Sequence, residues 1–169
     1  MSSWDTRSVT NMNGIFDMST NTGAAPALTS VDLTGWNTSL VTSLERTFSA
    51  CNNLATLNVS GWDTSSVTNM YYTFSSIPAT TLDLPSWTTS AVTDMNGTFN
   101  YCQKLEYLDI SGFTVPSECS NFLGNTTGLL TLKTPKSMAS SIELGHGYLV
   151  NTASAKGSRT YLGTTLSTN

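Results

Sequence analysis

A unit of about 25 residues is written five times along this chain, aligned on an aromatic: Trp4, Trp36, Trp62, Trp87 and, in degraded form, Phe113. Self-similarity at that period constrains the fold more than any other feature. A unit this short cannot bury an apolar face alone and must stack on its neighbours, which makes a solenoid the expected architecture. The aromatics from Trp36 onward are 26, 25 and 26 residues apart. The first interval is 32 because Asn21-Thr22-Gly23-Ala24-Ala25-Pro26 reads as an insertion at a turn.

Each copy opens alike, as in Trp62-Asp63-Thr64-Ser65-Ser66-Val67-Thr68-Asn69-Met70, and an aromatic follows four residues after the Met or Leu: Phe16, Phe48, Phe74, Phe99. Its second half closes on an L-x-x-L-x-L pattern such as Leu105-Glu106-Tyr107-Leu108-Asp109-Ile110, followed by Ser111-Gly112. Alternation in Thr56-Leu57-Asn58-Val59-Ser60 is the period-two signal of a strand with one buried face. One such strand per copy predicts a parallel sheet with Leu, Val or Ile in register inside. Val67 to Met70 predicts a second short strand or turn on the opposite side. Met70 and Phe74 fit one helical turn facing the core.

The pattern W-D-T-S-x-V-T-x-M-x-x-x-F-x-x-C-x-x-L-x-x-L-D-L-S-G resembles the BspA-type leucine-rich repeat of bacterial and mycoplasmal surface proteins and lipoproteins. The resemblance covers residues 4 to 135. It implies a right-handed leucine-rich-repeat-like coil on a surface-exposed protein, commonly an adhesin, and supplies no catalytic residue to carry over.

One domain of 1–169 is expected, with copies at 4–35, 36–61, 62–86, 87–112 and 113–135 and a degenerate C-terminal cap over 136–169. Aligning Leu132 with Leu108 makes Leu123 the counterpart of Phe99 and Cys119 that of Met95. Met138 and Ile142 start a sixth partial copy, Gly147-Tyr148-Leu149-Val150 reads as a strand, and Tyr161-Leu162 as a further apolar segment. The polar stretch from Gly163 to Asn169 reads as frayed. Because the first copy starts at its Trp without the preceding L-x-x-L-x-L half, the chain is expected to be excised from a longer protein carrying the secretion signal and anchor. The alternative is a complete small protein, such as a virion component, whose open end a partner covers.

Charged residues make up only 11% of the chain and the net charge is −4, so the basic footprint of a nucleic-acid binder is missing. No apolar run of 18 residues predicts a membrane span. Cys51 and Cys102 share a register position two copies apart, about 10 Å in a stacked sheet, which is beyond a disulfide's reach. All three cysteines, Cys119 included, read as small buried hydrophobes, and their spacing matches no zinc pattern. His146, the single histidine, sits between glycines and reads as a turn residue. Nothing suggests an enzyme, a cofactor or a metal centre.

What the repeat does build is outward columns. One is Ser30, Thr56, Thr81, Tyr107, Thr131; its neighbour is Asp32, Asn58, Asp83, Asp109, Lys133. Carboxylates about 5 Å apart repel by roughly 0.8 kcal/mol even in water, so Asp83 over Asp109 marks this face as a candidate ligand or cation site, with a solvated polar exterior as the plainer reading. The candidate ligand-binding residues are Asp32, Asn58, Asp83, Asp109, Thr56, Thr81 and Tyr107, with Tyr107 as the anchor. Two further exterior ladders are expected, Thr6/Thr38/Thr64/Thr89 and Thr10/Thr42/Thr68/Thr93. They lack the flat T-x-T strand that ice binding would use. The tryptophans read as a core or corner ladder rather than a sugar platform.

The expected function is a non-catalytic binding or adhesion module of a bacterial cell surface, recognising host or microbial protein or glycan through its repetitive polar face. The alternative is a structural spacer or assembly subunit, stacking through its ends into a stalk, filament or virion decoration.

Overall fold

The structure is a computed structural model that describes residues 4–19 and 28–139, with the backbone of residues 142–143 and 165–166. Every copy contributes one strand: β1 (Ser30–Asp32), β2 (Thr56–Asn58), β3 (Thr81–Asp83), β4 (Tyr107–Asp109) and, after the short β5 (Thr114–Val115), β6 (Thr131–Lys133). All the pairings among these five repeat strands are parallel. β1 pairs with β2, matching Ser30 to Thr56 and Asp32 to Asn58. β3, β4 and β6 form a three-stranded sheet in which Thr81, Tyr107 and Thr131 align, as do Asp83, Asp109 and Lys133. The central Val31, Leu82, Leu108 and Leu132 point inward and are buried, as alternation demands. The fold is thus a repeat-built, strand-rich one with short parallel strands.

On the opposite side, parallel bridges link Asn11 to Ser43, Ser43 to Asn69, Asn69 to Asp94 and Asp94 to Glu118. The turn that follows is not helical, and no helix occurs among the described residues. In an α-helix each N–H finds its acceptor four residues back, whereas here the N–H groups alternate between two destinations. Leu44, Arg46, Phe48 and Ala50 donate to the carbonyls of Asn69, Tyr71, Thr73 and Ser75 in the next copy at 2.8 to 2.9 Å. Thr47, Ser49 and Cys51 donate three residues back instead. The chain achieves this with a positive φ at every fourth residue: Arg46 and Ala50, Tyr72 and Ser76, Gly97 and Tyr101, Asn121 and Asn125. The expected Met70–Phe74 helical turn is therefore replaced by a curved ribbon bonded to both neighbours. Its Met and Phe still face inward, Met70 and Phe74 having no exposed surface.

Two aromatic ladders run through the core. Trp4, Trp36, Trp62, Trp87 and Phe113 stack with centroids 5.6 to 6.3 Å apart. Phe16, Phe48, Phe74 and Phe99 stack at 5.4 to 5.7 Å, with planes within 6° of parallel. Both spacings fall within the range favoured by offset aromatic pairs. The tryptophans are thus a core ladder, tied across copies by Trp62 Nε1 donating to Leu33 O at 3.1 Å. Trp87 Nε1 repeats the bond to Val59 O at 3.5 Å.

Thr6, Thr38, Thr64 and Thr89 are buried, not exterior. A threonine can face the core if its hydroxyl is satisfied, and neighbouring copies satisfy it: Thr38 Oγ1 donates to Asp63 O, Thr64 Oγ1 to Thr88 O, Thr89 Oγ1 to Thr114 O. A further buried column, Thr47, Thr73 and Thr98, bridges carbonyls of its own and the preceding copy. In the fifth copy Phe122 takes that place and meets Phe99 edge-on at 87°. The N–H of Phe99 bonds Phe122 O, the same offset by which Phe48 bonds Thr73, so Leu123 is the register counterpart of Phe99. The Thr10/Thr42/Thr68/Thr93 ladder is exposed. The hydroxyls of Thr42, Thr68 and Thr93 bond the preceding copy's backbone there.

The strand ladder breaks once, between β2 and β3. Copy three reaches its strand from Phe74 one residue sooner than its neighbours do, and through Pro78; proline fixes φ and has no N–H to give. Beyond copy five, β7 (Ser137–Met138) adds in parallel to β5, matching Met138 to Val115. β8 (Ile142–Glu143) and β9 (Thr165–Leu166) pair antiparallel, a departure from the repeat. The insertion at 21–26, His146, the expected strand at 147–150, Tyr161-Leu162 and most of the tail lie outside the described residues. No helix among the described residues is long and apolar enough to cross a membrane.

Candidate binding surface

The strand face carries the residues expected to bind. Asp32, Thr56, Asn58, Thr81 and Asp83 are exposed and in the anticipated columns, interrupted where β2 and β3 part. Most of the acidic column is already committed to its own backbone. Asp32 Oδ1 accepts from the Thr34 N–H at 3.1 Å, Asn58 Oδ1 from Ser60 at 3.3 Å and Asp109 Oδ1 from Ser111 at 3.0 Å. These side-chain turns close the corner after each strand. Asp83 is the exception, because two residues on stands Pro85, which has no N–H.

Asp109 is not an outward residue. Its side chain is only 2% exposed and forms an ion pair with Lys133 at 2.8 Å. Tyr107, half-buried rather than projecting, lies beneath the Lys133 ammonium at 5.5 Å from the ring centroid. The expected repulsion of Asp83 and Asp109 is answered by the next copy, which places a cation where the column would otherwise continue acidic. Burial alone would raise the Asp109 carboxyl; hydrogen bonds from Lys133 and Ser111 outweigh it and hold the group below its ordinary range. The hydrogen bonds it donates, to Asp109 and then to Tyr107, raise the Lys133 ammonium in turn.

No group of three or more His, Cys, Asp or Glu side chains positioned to hold a metal occurs among the described residues. Cys51 and Cys102 are buried free thiols donating to Phe16 O at 2.9 Å and Phe74 O at 3.1 Å, and Cys119 is buried as well. Burial pushes both Cys51 and Cys102 up to about 12, with Asp17 adding to the rise at Cys51.

A second feature lies outside the columns. An open notch of about 270 Å³ lies at the corner leading into the strands, lined by Asn52, Ser76, Ile77, Pro78, Tyr101, Gln103 and Lys104. The signal for it was present in the sequence as the shorter interval between Trp62 and Trp87.

No curated protein and no solved structure matches the chain. A family model described as "Mycoplasma protein of unknown function, DUF285" matches residues 1–23 and 17–123, well over half of the sequence, and the matched span takes in the four clear copies. The chain therefore belongs to the DUF285 family of Mycoplasma proteins of unknown function.

Proposed function

We propose that the chain is a non-catalytic binding module of a bacterial cell-surface protein, built as a right-handed BspA-type leucine-rich-repeat solenoid and recognising host or microbial protein or glycan through its strand face. The observation that carries this reading is the exposed polar set Asp32, Thr56, Asn58, Thr81 and Asp83 on three successive repeat strands, in which Asp83 alone of the acidic column is left uncommitted by its turn. Rigid, repeated polar positions suit recognition by many weak contacts, since a preorganised surface loses little entropy on binding. Membership of a Mycoplasma family fits an extracellular or cell-surface location.

The test is a glycan array and a panel of matrix proteins probed with the wild-type chain, Asp83→Ala and Tyr107→Ala. Binding that Asp83→Ala weakens supports the reading. Blank panels, or binding indifferent to both substitutions, reject it. The spacer or assembly reading draws on Trp4, whose ring stacks on Trp36 and is still 57% exposed, an apolar surface suited to end-to-end contact. Light scattering separates the two: mass growing with concentration favours assembly, a monodisperse monomer the binding module.

A further inference from the structure

Copies two, three and four differ at one corner. Between the core Phe and the strand, copy three lacks the residue that its neighbours fill with Asn52 and Gln103, and it carries Ala79 where they carry Leu54 and Leu105. In the flanking copies tight bonds from Asn52 N–H to Ala50 O at 2.7 Å and from Gln103 N–H to Tyr101 O at 2.8 Å form the corner. Copy three has none there. Its Ser76, Ile77 and Pro78 form the floor of a notch, with Asn52 as one wall and Tyr101, Gln103 and Lys104 as the other.

The lining is chemically selective. Among the described residues, no salt bridge engages the Lys104 ammonium and no carboxylate lines the notch. Asn52 and Gln103, both exposed, bring amides that donate and accept. Tyr101 is 51% exposed and holds a φ of 59°. At the equivalent positions stand Ala50, Ser76 and Asn125, small or polar residues. A bulky side chain in the left-handed region costs about 1–2 kcal/mol, and the half of this ring that faces water recovers none of that through packing.

At about 270 Å³ the notch falls just short of the roughly 300–1,000 Å³ of sites for drug-sized ligands, so it suits a single ring. We propose that it binds one acidic pyranose unit of the hexuronic-acid class. The apolar face of the sugar lies on Tyr101, its hydroxyls meet the amides of Asn52 and Gln103, and its carboxylate meets Lys104. A neutral sugar would leave Lys104 unmatched. An apolar peptide side chain would find no deep recess, since Ile77 in the floor is only 1% exposed. The site shares no residue with the strand face, so it stands or falls independently of the strand-face reading.

The test is an NMR titration of the full chain with glucuronate, using glucose as the neutral comparator. Glucuronate is expected to shift the amide signals of Tyr101, Gln103 and Lys104 and to bind at least about tenfold tighter than glucose. Lys104→Gln should abolish that preference, and Tyr101→Asn, which the left-handed backbone accepts, should weaken both sugars. Inserting Asn between Ile77 and Pro78 restores the length of the flanking copies and should close the site; circular dichroism checks that each variant folds. Equal binding of both sugars, shifts mapping elsewhere, or a Lys104→Gln protein that keeps the preference would overturn the proposal. Asp83→Ala should leave the titration unchanged.

Discussion

Thr64 Oγ1 donates to the carbonyl of Thr88 at 3.0 Å and accepts from the N–H of the same residue at 2.9 Å. One buried hydroxyl thereby satisfies both main-chain groups of a residue in the next copy. Thr89 repeats this clamp on Thr114.

Thr64→Val keeps the shape and removes both bonds. Leaving the Thr88 groups unpaired should cost about 1–3 kcal/mol in urea denaturation. Thr68→Val removes a bond at an exposed position and should stay within about 0.5 kcal/mol. Equal effects would mean that the buried threonines are not what ties the copies together.

Phe74 is fully buried between Phe48 and Phe99. Phe74→Ala removes the middle of that ladder and should destabilise the fold by about 3–5 kcal/mol, read as a lowered denaturation midpoint. Trp4→Ala should cost much less, because more than half of that side chain is already in water.

Gly97 has a φ of 62°, and a Cβ there would stand 2.7 Å from the Tyr72 ring. Gly97→Ala should cost about 1–2 kcal/mol from its backbone alone, and more if Tyr72 cannot swing aside. Thermal unfolding of Gly97→Ala, alone and combined with Tyr72→Ala, separates the two contributions.

Asp109 is held below its ordinary value of 3.8. A lowered carboxyl contributes stability that is present above that value and is lost as pH falls through the native one. The acid limb of a stability-versus-pH curve should therefore flatten in Asp109→Asn. Lys133, shifted upward from 10.5, contributes below that value and loses its contribution in strong alkali.

Cys51 and Cys102 have native values of about 12 against an ordinary 9.0. A raised thiol stabilises the fold below the ordinary value, and that contribution drains away as pH climbs from about 9 to 12. Iodoacetamide at pH 8 should leave both thiols unmodified by mass spectrometry until urea unfolds the chain, because the thiolate is the nucleophile. Rapid labelling of the folded protein would contradict their burial.

Much of this was written plainly in the residues. Inward Val31, Leu82 and Leu108 announce the strand register by alternation, and the aromatic period places Trp36 over Trp62 and Phe48 over Phe74. Thr64 was harder: a threonine two positions after a tryptophan reads as surface until the neighbouring copy reveals a partner for its hydroxyl. Asp109 looks outward by alternation as well, and only the pairing with Lys133 one copy later makes its burial affordable. The Met70–Phe74 spacing fits a helix and a curved ribbon equally, since both bring the two side chains to one edge. Where the ribbon's N–H groups go is decided by the copy beside it. Of the expected binding residues, Asp83 keeps a free carboxylate because of Pro85, a local rule; the notch needed three copies compared at once.

The hydroxyl clamps and indole bonds all reach one unit along and no further. A duplicated unit inserted between two others would bring with it the partners that these particular bonds require. The length of the strand face is thus set by the number of units and not by the chemistry of any one of them.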